Sequence, residues 1–260
     1  MFQKLFQQIT DAIPASAMIT RDRRPAARRL WWHSFEALQP SGMFRVPVGE
    51  YRMWIDTADP IISRCLAKHG YYEPAESKVM RALIKPGSTF VDCGANIGYY
   101  TLLAAESVGP RGKIYAFEPA PQNHRILRQN IEMNGLDDRA ISYAVALGAA
   151  AGHVDIYLEK GNAGAHSILK QNVDDVRGVI SVDVIPMDEI LRGQHIDVIK
   201  IDTQGAEPGI LRGATEILSR DRPLLMLEWW PWGLRDHGGS AGLAEVLSQF
   251  DYSAGVIQPN

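Results

Sequence analysis

Cysteine is scarce in this chain: the two present, Cys65 and Cys93, sit in apolar text with no further residue at metal-ligand spacing. That excludes a disulfide framework and a zinc knuckle, and it suits reduced core residues of a cytoplasmic protein. No apolar run reaches the roughly 18 residues of a membrane span, and the polar opening MFQKLFQQITD lacks the form of a signal peptide. A soluble, cytoplasmic protein is expected. There is no excess of positive charge either: the net charge of −3 argues against a protein devoted to nucleic acid. Internal repeats are absent, and no histidine–carboxylate pair has convincing metal spacing, so no required metal is expected. The sequence also lacks G-x-G-x-x-G, the pattern needed where backbone must approach a pyrophosphate.

What is present is enough apolar content, 46% of 260 residues, to bury a full core in one large domain with an appendage. The appendage is assigned to residues 1–42 and reads as helical, with Phe2, Leu5, Phe6 and Ile9 forming one stripe. Five arginines follow (Arg21, Arg23, Arg24, Arg28 and Arg29), then the aromatic pair Trp31 and Trp32. Two readings of residues 21–32 stand. One is a peripheral contact with an anionic membrane, a phosphorylated carrier or a partner. The other is a solvated basic helix whose tryptophans pack on the main domain.

Residues 43–260 are assigned to that main domain. FRVPVGEYRMWI alternates around Gly49 and Glu50, as a β-hairpin does. Residues 59–83 read as helical, with a break at GYYEP where glycine and proline punctuate. Beyond the turn at Lys85, Pro86 and Gly87, strands are expected at 89–92, 113–118, 140–147, 195–202, 223–228 and 252–257. Further strand-like text lies at 153–158 and 181–185, and helices are expected over 121–134, 188–191, 208–219 and 241–250. This alternation predicts an α/β fold with a doubly wound, mainly parallel sheet.

The chain is organised around TFVDCGANIGYYT, residues 89–101: a short apolar strand, Asp92, a glycine turn and the start of a helix. Parallel sheets bind ligands just beyond such a strand end. Gly94 can take the positive φ of a tight turn, Asn96 tolerates left-handed geometry, and Gly98 lets a helix or ligand come close. Taken alone, the stretch is equally a structural turn with an Asp helix cap. Three more apolar strands end on an acid, however, at Glu118, Asp202 and Glu228. In a parallel sheet all four ends share one edge. Glu118 follows Gly94 by 24 residues, close to the interval at which an acid meets ribose hydroxyls in nucleoside-binding folds. A ligand with a ribose and positive charge suits this edge better than a pyrophosphate. S-adenosylmethionine has that chemistry.

The text around these acids resembles the FkbM family of S-adenosylmethionine-dependent methyltransferases. The resemblance rests on GYYEP, KPGSTFVDCGANIGYYTLLAA, KIYAFEPAPQNHRILRQNIEMNG, VIKIDTQGAEPGILRGA and LLMLEWW, in this order, and covers residues 43–252. It implies a class I methyltransferase, Rossmann-like fold and methyl transfer to a hydroxyl oxygen on a glycan, a lipid-linked sugar or a small natural product. Carried over by position, it implies that Asp92, Gly94, Asn96 and Gly98 form the loop beneath the methionine part of the cofactor. Glu118 would hold the ribose hydroxyls. Asp202, Gly205 and Glu207 would lie beside the reaction centre, with Glu228 closing the following strand. Cys93 stands where valine or another small residue is common. The six expected sheet strands are one fewer than this fold carries, which implies a truncated chain or an N-terminal hairpin covering that edge.

Methyl transfer from a sulfonium needs no metal, but a hydroxyl acceptor gains from a general base. Asp202, Glu228 and His166, the last in the loop GNAGAHSIL, are the candidates. His153 and His195 read as structural. Trp229, Trp230 and Trp232 follow Glu228 and offer either a stacking surface for a sugar or a packed aromatic loop. Two other function classes compete. One is a nicotinamide-dependent dehydrogenase, against which G-x-N-x-G counts. The other is a non-catalytic adaptor that keeps the cofactor fold and docks through residues 21–32.

Overall fold

A computed structural model describes residues 2–12, 26–38, 42–159, 167–168, 170–173, 175–235 and 239–257. Two helices, α1 (Phe2–Ala12) and α2 (Ala26–Leu38), precede a hairpin of β1 (Met43–Val48) and β2 (Tyr51–Asp56). The expected alternation buries Phe44, Val46, Met53 and Ile55 on one side of that hairpin. Trp31 and Trp32 are buried against it rather than displayed. Trp31 stacks between Phe6 and Phe35, and its indole N–H donates to Thr10 Oγ1 at 2.7 Å, so the ring is covered with its polar tip satisfied. Arg52 donates to the Thr10 and Asp11 carbonyls (3.1 and 2.9 Å), a cation placed where helix α1 leaves its last acceptors open.

Helices α3 (Ile62–His69) and α4 (Pro74–Leu83) follow, divided at GYYEP as expected. Gly70 takes a left-handed φ of 74° and its N–H closes α3 on Leu66 O, while Pro74 opens α4. The central sheet comes next: β3 (Thr89–Cys93), α5 (Tyr99–Val108), β4 (Lys113–Phe117), α6 (Pro121–Met133) and β5 (Ala140–Tyr143). After an inserted segment the chain returns through β9 (Val198–Ile201), α8 (Glu207–Arg212), α9 (Thr215–Asp221) and β10 (Leu224–Leu227), and α10 (Gly239–Ser248) closes the described part. The sheet order is β10-β9-β3-β4-β5, with every pairing parallel. The chain leaves β3 in one direction and returns on its other side at β9, so the switch point lies at the end of β3.

The inserted segment differs from the sequence expectation. The stretch 140–147 is two strands: β5 stays in the main sheet, and β6 (Ala146–Leu147) joins β7 (Gly152–Glu159) and β8 (Val176–Ile185). β7 and β8 pair antiparallel, so this second sheet is an arm beside the parallel one. A short helix, α7 (Met187–Ile190), leads back from the arm. The helix expected at 208–219 breaks between α8 and α9, where a Cβ on Gly213 would lie 2.0 Å from Gly148 O. Residues 252–257 form no strand; most of their side chains are exposed, and Asp251 turns through a left-handed φ of 55° just before them. The sheet therefore has five strands among the described residues. The β1–β2 hairpin forms its own two-stranded sheet and does not supply a sixth.

Asparagines join the hairpin to the main sheet. Asn130 on α6 accepts from Trp54 N–H and donates to Trp54 O and Ile97 O, and Asn134, one turn on, pairs in the same way with Arg52. Two side-chain amides thus satisfy backbone groups on β2 that would otherwise face the helix unpaired. Apolar side chains pack on both faces of the sheet, as alternation along each strand requires. Phe90, Ile114 and Val198 face α5, α6 and the hairpin, whereas Val91, Tyr115 and Ile199 face α8, α9 and α10. Each such fully buried side chain contributes roughly 1.5–3 kcal/mol.

Candidate active site

The end of β3 is built by close approach. Gly94 has a φ of 80°, and its N–H and that of Ala95 both donate to Phe117 O at 3.0 Å. A Cβ at Gly94 would lie 2.0 Å from Asp202 O, so only glycine lets β3 and β9 close here. Asn96 follows in the left-handed region (φ 51°), as its residue type allows.

The four strand-end acids share one parity of the pleat, two residues beyond Phe90, Ala116, Lys200 and Met226, and gather at one edge. Asp92 is fully buried; Thr101 Oγ1 donates to its Oδ2 at 2.7 Å, and its Oδ1 has no partner among the described residues. Burial raises its carboxyl above the usual range, against the pull of Lys200. Glu118 accepts from Asn96 N–H (2.8 Å) and Ala120 N–H (2.9 Å), one on each oxygen, and burial pushes it up to about 7. In this geometry Glu118 holds the turn in shape, with the Asn123 side chain as a third hydrogen-bond partner.

On the other side of Asp92, Lys200 is buried within β9 and sets the charge of the edge. Its ammonium lies 2.9 Å from Asp202 Oδ2 and 4.4 Å above the Tyr100 ring. Burial opposes the charge on Lys200, but Asp202 and Asp92 outweigh it and hold the group protonated. Burial likewise works against Asp202, and the Lys200 charge and hydrogen bond overcome it, keeping this carboxyl ionised. Glu228 has the opposite fate: burial first, then the Asp202 charge, push it up to about 8. Gln204, at a left-handed φ of 57°, links the pair by donating to both Glu228 oxygens (3.0 and 3.1 Å) and to Asp202 Oδ1 (3.4 Å). The Gln204 carbonyl is gripped from the arm by Ser167 Oγ and Asn172 Nδ2, both at 2.9 Å. Glu207 Oε1 accepts from Thr203 N–H and Oγ1 and from Gly205 N–H, so it folds the loop between β9 and α8.

Asp92, Gly94, Asn96, Gly98, Glu118, Asp202 and Glu228 thus lie around one strand-end edge. His166 lies outside the described residues. His153 and His195 are exposed and pair with Asp183 and Asp221, away from the edge. Trp229 and Trp232 are exposed just beyond Glu228, while Trp230 packs on Gly233. Sequence reasoning gave no role to Glu73, Tyr100, Lys200 or Gln204. The charged Lys200 inside VIKI was the available signal, because a lysine in a buried strand needs a partner. No group of side chains suited to a metal ion occurs among the described residues.

Beside the acids lies a cavity of about 240 Å³, lined by Phe117, Glu118, Ala146, Ile156, Ile168 and Gln204 among others. Its lining is mostly apolar, with Glu118 and Asp202 the acids in it. An apolar cleft carrying two carboxylates fits a ligand with an aromatic base and a positive charge, and does not fit a pyrophosphate.

A parallel sheet with its switch point at a glycine turn, and with acids on successive strand ends, is the Rossmann-like arrangement expected of a class I methyltransferase. The Methyltransferase FkbM domain matches residues 92–238, and the chain belongs to that family. It is 28% identical over 182 residues to methyltransferase sdnD of Sordaria araneosa, covering 58% of this chain and 70% of that one. It is 26% identical over 174 residues to the 2-O-methyltransferase NoeI of Sinorhizobium fredii (59% and 70%). With the hexuronic acid methyltransferase AglP of Haloferax volcanii it shares 26% over 151 residues (55% and 58%). Among solved structures it is similar to methyltransferase FkbM from Methylobacillus flagellatus, at a TM-score of 0.45 and 17% identity. That match covers 74% of this chain and 47% of the other, so the chain spans about half of that protein's length. Family membership sets the dehydrogenase expectation aside.

Proposed function

We propose that the protein methylates a hydroxyl oxygen on a glycan, a lipid-linked sugar or a small natural product, with S-adenosylmethionine as the methyl donor. The observation that carries this reading is the pair Asp202 and Glu228 bridged by Gln204, with the Lys200 ammonium 2.9 Å from Asp202 and Glu228 pushed up to about 8 by burial and the Asp202 charge. When bound, the cofactor supplies an electrophilic methyl on a sulfonium. In this reading the apolar lining of the cavity takes the purine and Glu118 accepts from the ribose hydroxyls. Glu228 accepts the acceptor's proton, since a base works best with a pKa near the working pH. Asp202 stays charged, favouring positive charge at the edge. The names of NoeI and AglP, which specify a 2-O position and a hexuronic acid, support a sugar hydroxyl. Trp229 and Trp232, exposed beside Glu228, offer such a ring its apolar stacking face.

The cofactor assignment is tested by calorimetry on Glu118→Ala. A bidentate carboxylate–diol contact is lost, so affinity for S-adenosylmethionine should fall at least about tenfold. Unchanged affinity in a folded variant would remove Glu118 from the site. The acceptor class is tested by incubating cell extracts with methyl-labelled cofactor and reading the labelled product by mass spectrometry. Label on nitrogen or carbon, with none on oxygen, would overturn the O-directed reading. Slow cofactor hydrolysis with no transfer would favour the adaptor.

A further inference from the structure

We propose that Glu73 receives the amino group of the cofactor's methionine tail. This rests on the S-adenosylmethionine reading above and adds a residue from GYYEP, a motif that carried a resemblance but no role.

Glu73 stands at the N-cap of α4 in a left-handed conformation (φ 44°, ψ 74°), yet its side chain makes no capping hydrogen bond. Acidic N-caps ordinarily turn back onto the first helical N–H groups, and this one is turned away. Its Oε2 accepts from the Tyr100 hydroxyl at 2.7 Å. Tyr100 joins it to the strand-end edge: its hydroxyl donates to Glu73 while its ring lies 4.4 Å from the Lys200 ammonium. Strand order sets the rest, with Glu118 after β4, Asp92 on β3, Lys200 and Asp202 at β9, and Glu73 reached through Tyr100. A nucleoside held by its ribose at Glu118 and extending over the Gly94 turn would carry its tail toward Glu73.

The charge there is unbalanced. Glu73, Asp92, Asp202 and Glu228 all feel Lys200, the one cation set among them in the described residues. The fully buried Asp92 Oδ1 has no donor, an independent sign that positive charge or a donor is wanting. The other three acids are already engaged: Asp92 has no exposed surface, Asp202 pairs with Lys200, and both Glu228 oxygens accept from Gln204. Glu73 is half-buried with one hydroxyl donor on one oxygen, which leaves lone pairs for the N–H bonds of an ammonium.

The test compares two nucleosides by calorimetry: S-adenosylhomocysteine, which has the amino-acid tail, and 5′-methylthioadenosine, which lacks it. Glu73→Gln keeps shape and an acceptor oxygen but removes the charge. S-adenosylhomocysteine should bind about tenfold more weakly, with 5′-methylthioadenosine changed by less than about twofold. Tyr100→Phe, which frees the Glu73 carboxylate without discharging it, should show a smaller loss with the same selectivity, and it serves if the first variant does not fold. Equal losses for both nucleosides, or none, would overturn the assignment. Glu118→Ala should weaken both together. Wild-type protein that binds neither nucleoside would instead break the underlying cofactor reading.

Discussion

At the scale of single residues, the chemistry depends on how Asp202 and Glu228 divide their protons. Two carboxyls bridged by one amide cannot both ionise cheaply, and Lys200 decides which one does. Glu228 rises from 4.5 to about 8 on folding, so the folded state holds its proton where the unfolded state has released it. The penalty is absent below about pH 4.5 and complete above about pH 8, so wild-type stability should fall across that window by on the order of a few kcal/mol. Glu228→Gln should flatten the fall, seen as a melting-temperature difference that grows in favour of the variant toward alkaline pH. In turnover the same group should give a rate that rises toward pH 8 and loses that limb in Glu228→Gln. A limb that survives there and vanishes only in His166→Ala would transfer the role to the histidine.

At the scale of elements, the site depends on how closely strands and helices approach. Gly94→Ala would put a methyl 2.0 Å from Asp202 O at a φ of 80°, forcing β3 and β9 apart. A loss of roughly 2–5 kcal/mol is expected by denaturant unfolding, with cofactor binding abolished. A fully stable variant would mean that the two strands do not meet there. Asn130 is the second such point, since one amide ties α6 to β2 and to the glycine turn. Asn130→Leu matches its size but leaves Trp54 and Ile97 backbone groups without partners, at a cost of roughly 2–4 kcal/mol. Circular-dichroism melting would measure it. The helical stripe of α6 was legible from the spacing of Ile126, Leu127 and Ile131. That Asn130 serves the hairpin was not, because its partners lie 33 and 76 residues away.

At the scale of the whole molecule, the N-terminal helices share an apolar core with the hairpin and the central sheet, through Phe6, Trp31, Trp32 and Phe35. With both indoles covered, a membrane contact through residues 21–32 would be electrostatic rather than insertive. Arg29 is exposed on α2, with Leu30 beside it, and no helix among the described residues is long and apolar enough to cross a membrane. Replacing Arg21, Arg23, Arg24, Arg28 and Arg29 by glutamine should lower cosedimentation with anionic vesicles at low salt. The difference should vanish near 1 M ionic strength, where screening acts within about 3 Å. Equal, negligible binding by both proteins would leave a solvated basic helix.

The sequence by itself determined what is local or periodic. The strand–helix alternation, the glycine turn, and the acids at the ends of FVD, YAFE, KID and LMLE all follow from spacing within a dozen residues. Their common edge follows from parallel pairing. The tertiary structure alone decided what depends on distant neighbours. It split residues 140–147 between two sheets, because β6 found a partner in β8, about 38 residues on. It left residues 252–257 without a strand, mostly exposed beyond the left-handed turn at Asp251. It also set the charges: Asp202 and Glu228 are both strand-end carboxyls in the sequence, and burial together with a Lys200 ammonium 2.9 Å from one of them makes them differ. Burial and contact set proton affinity, and neither is written in a residue's type.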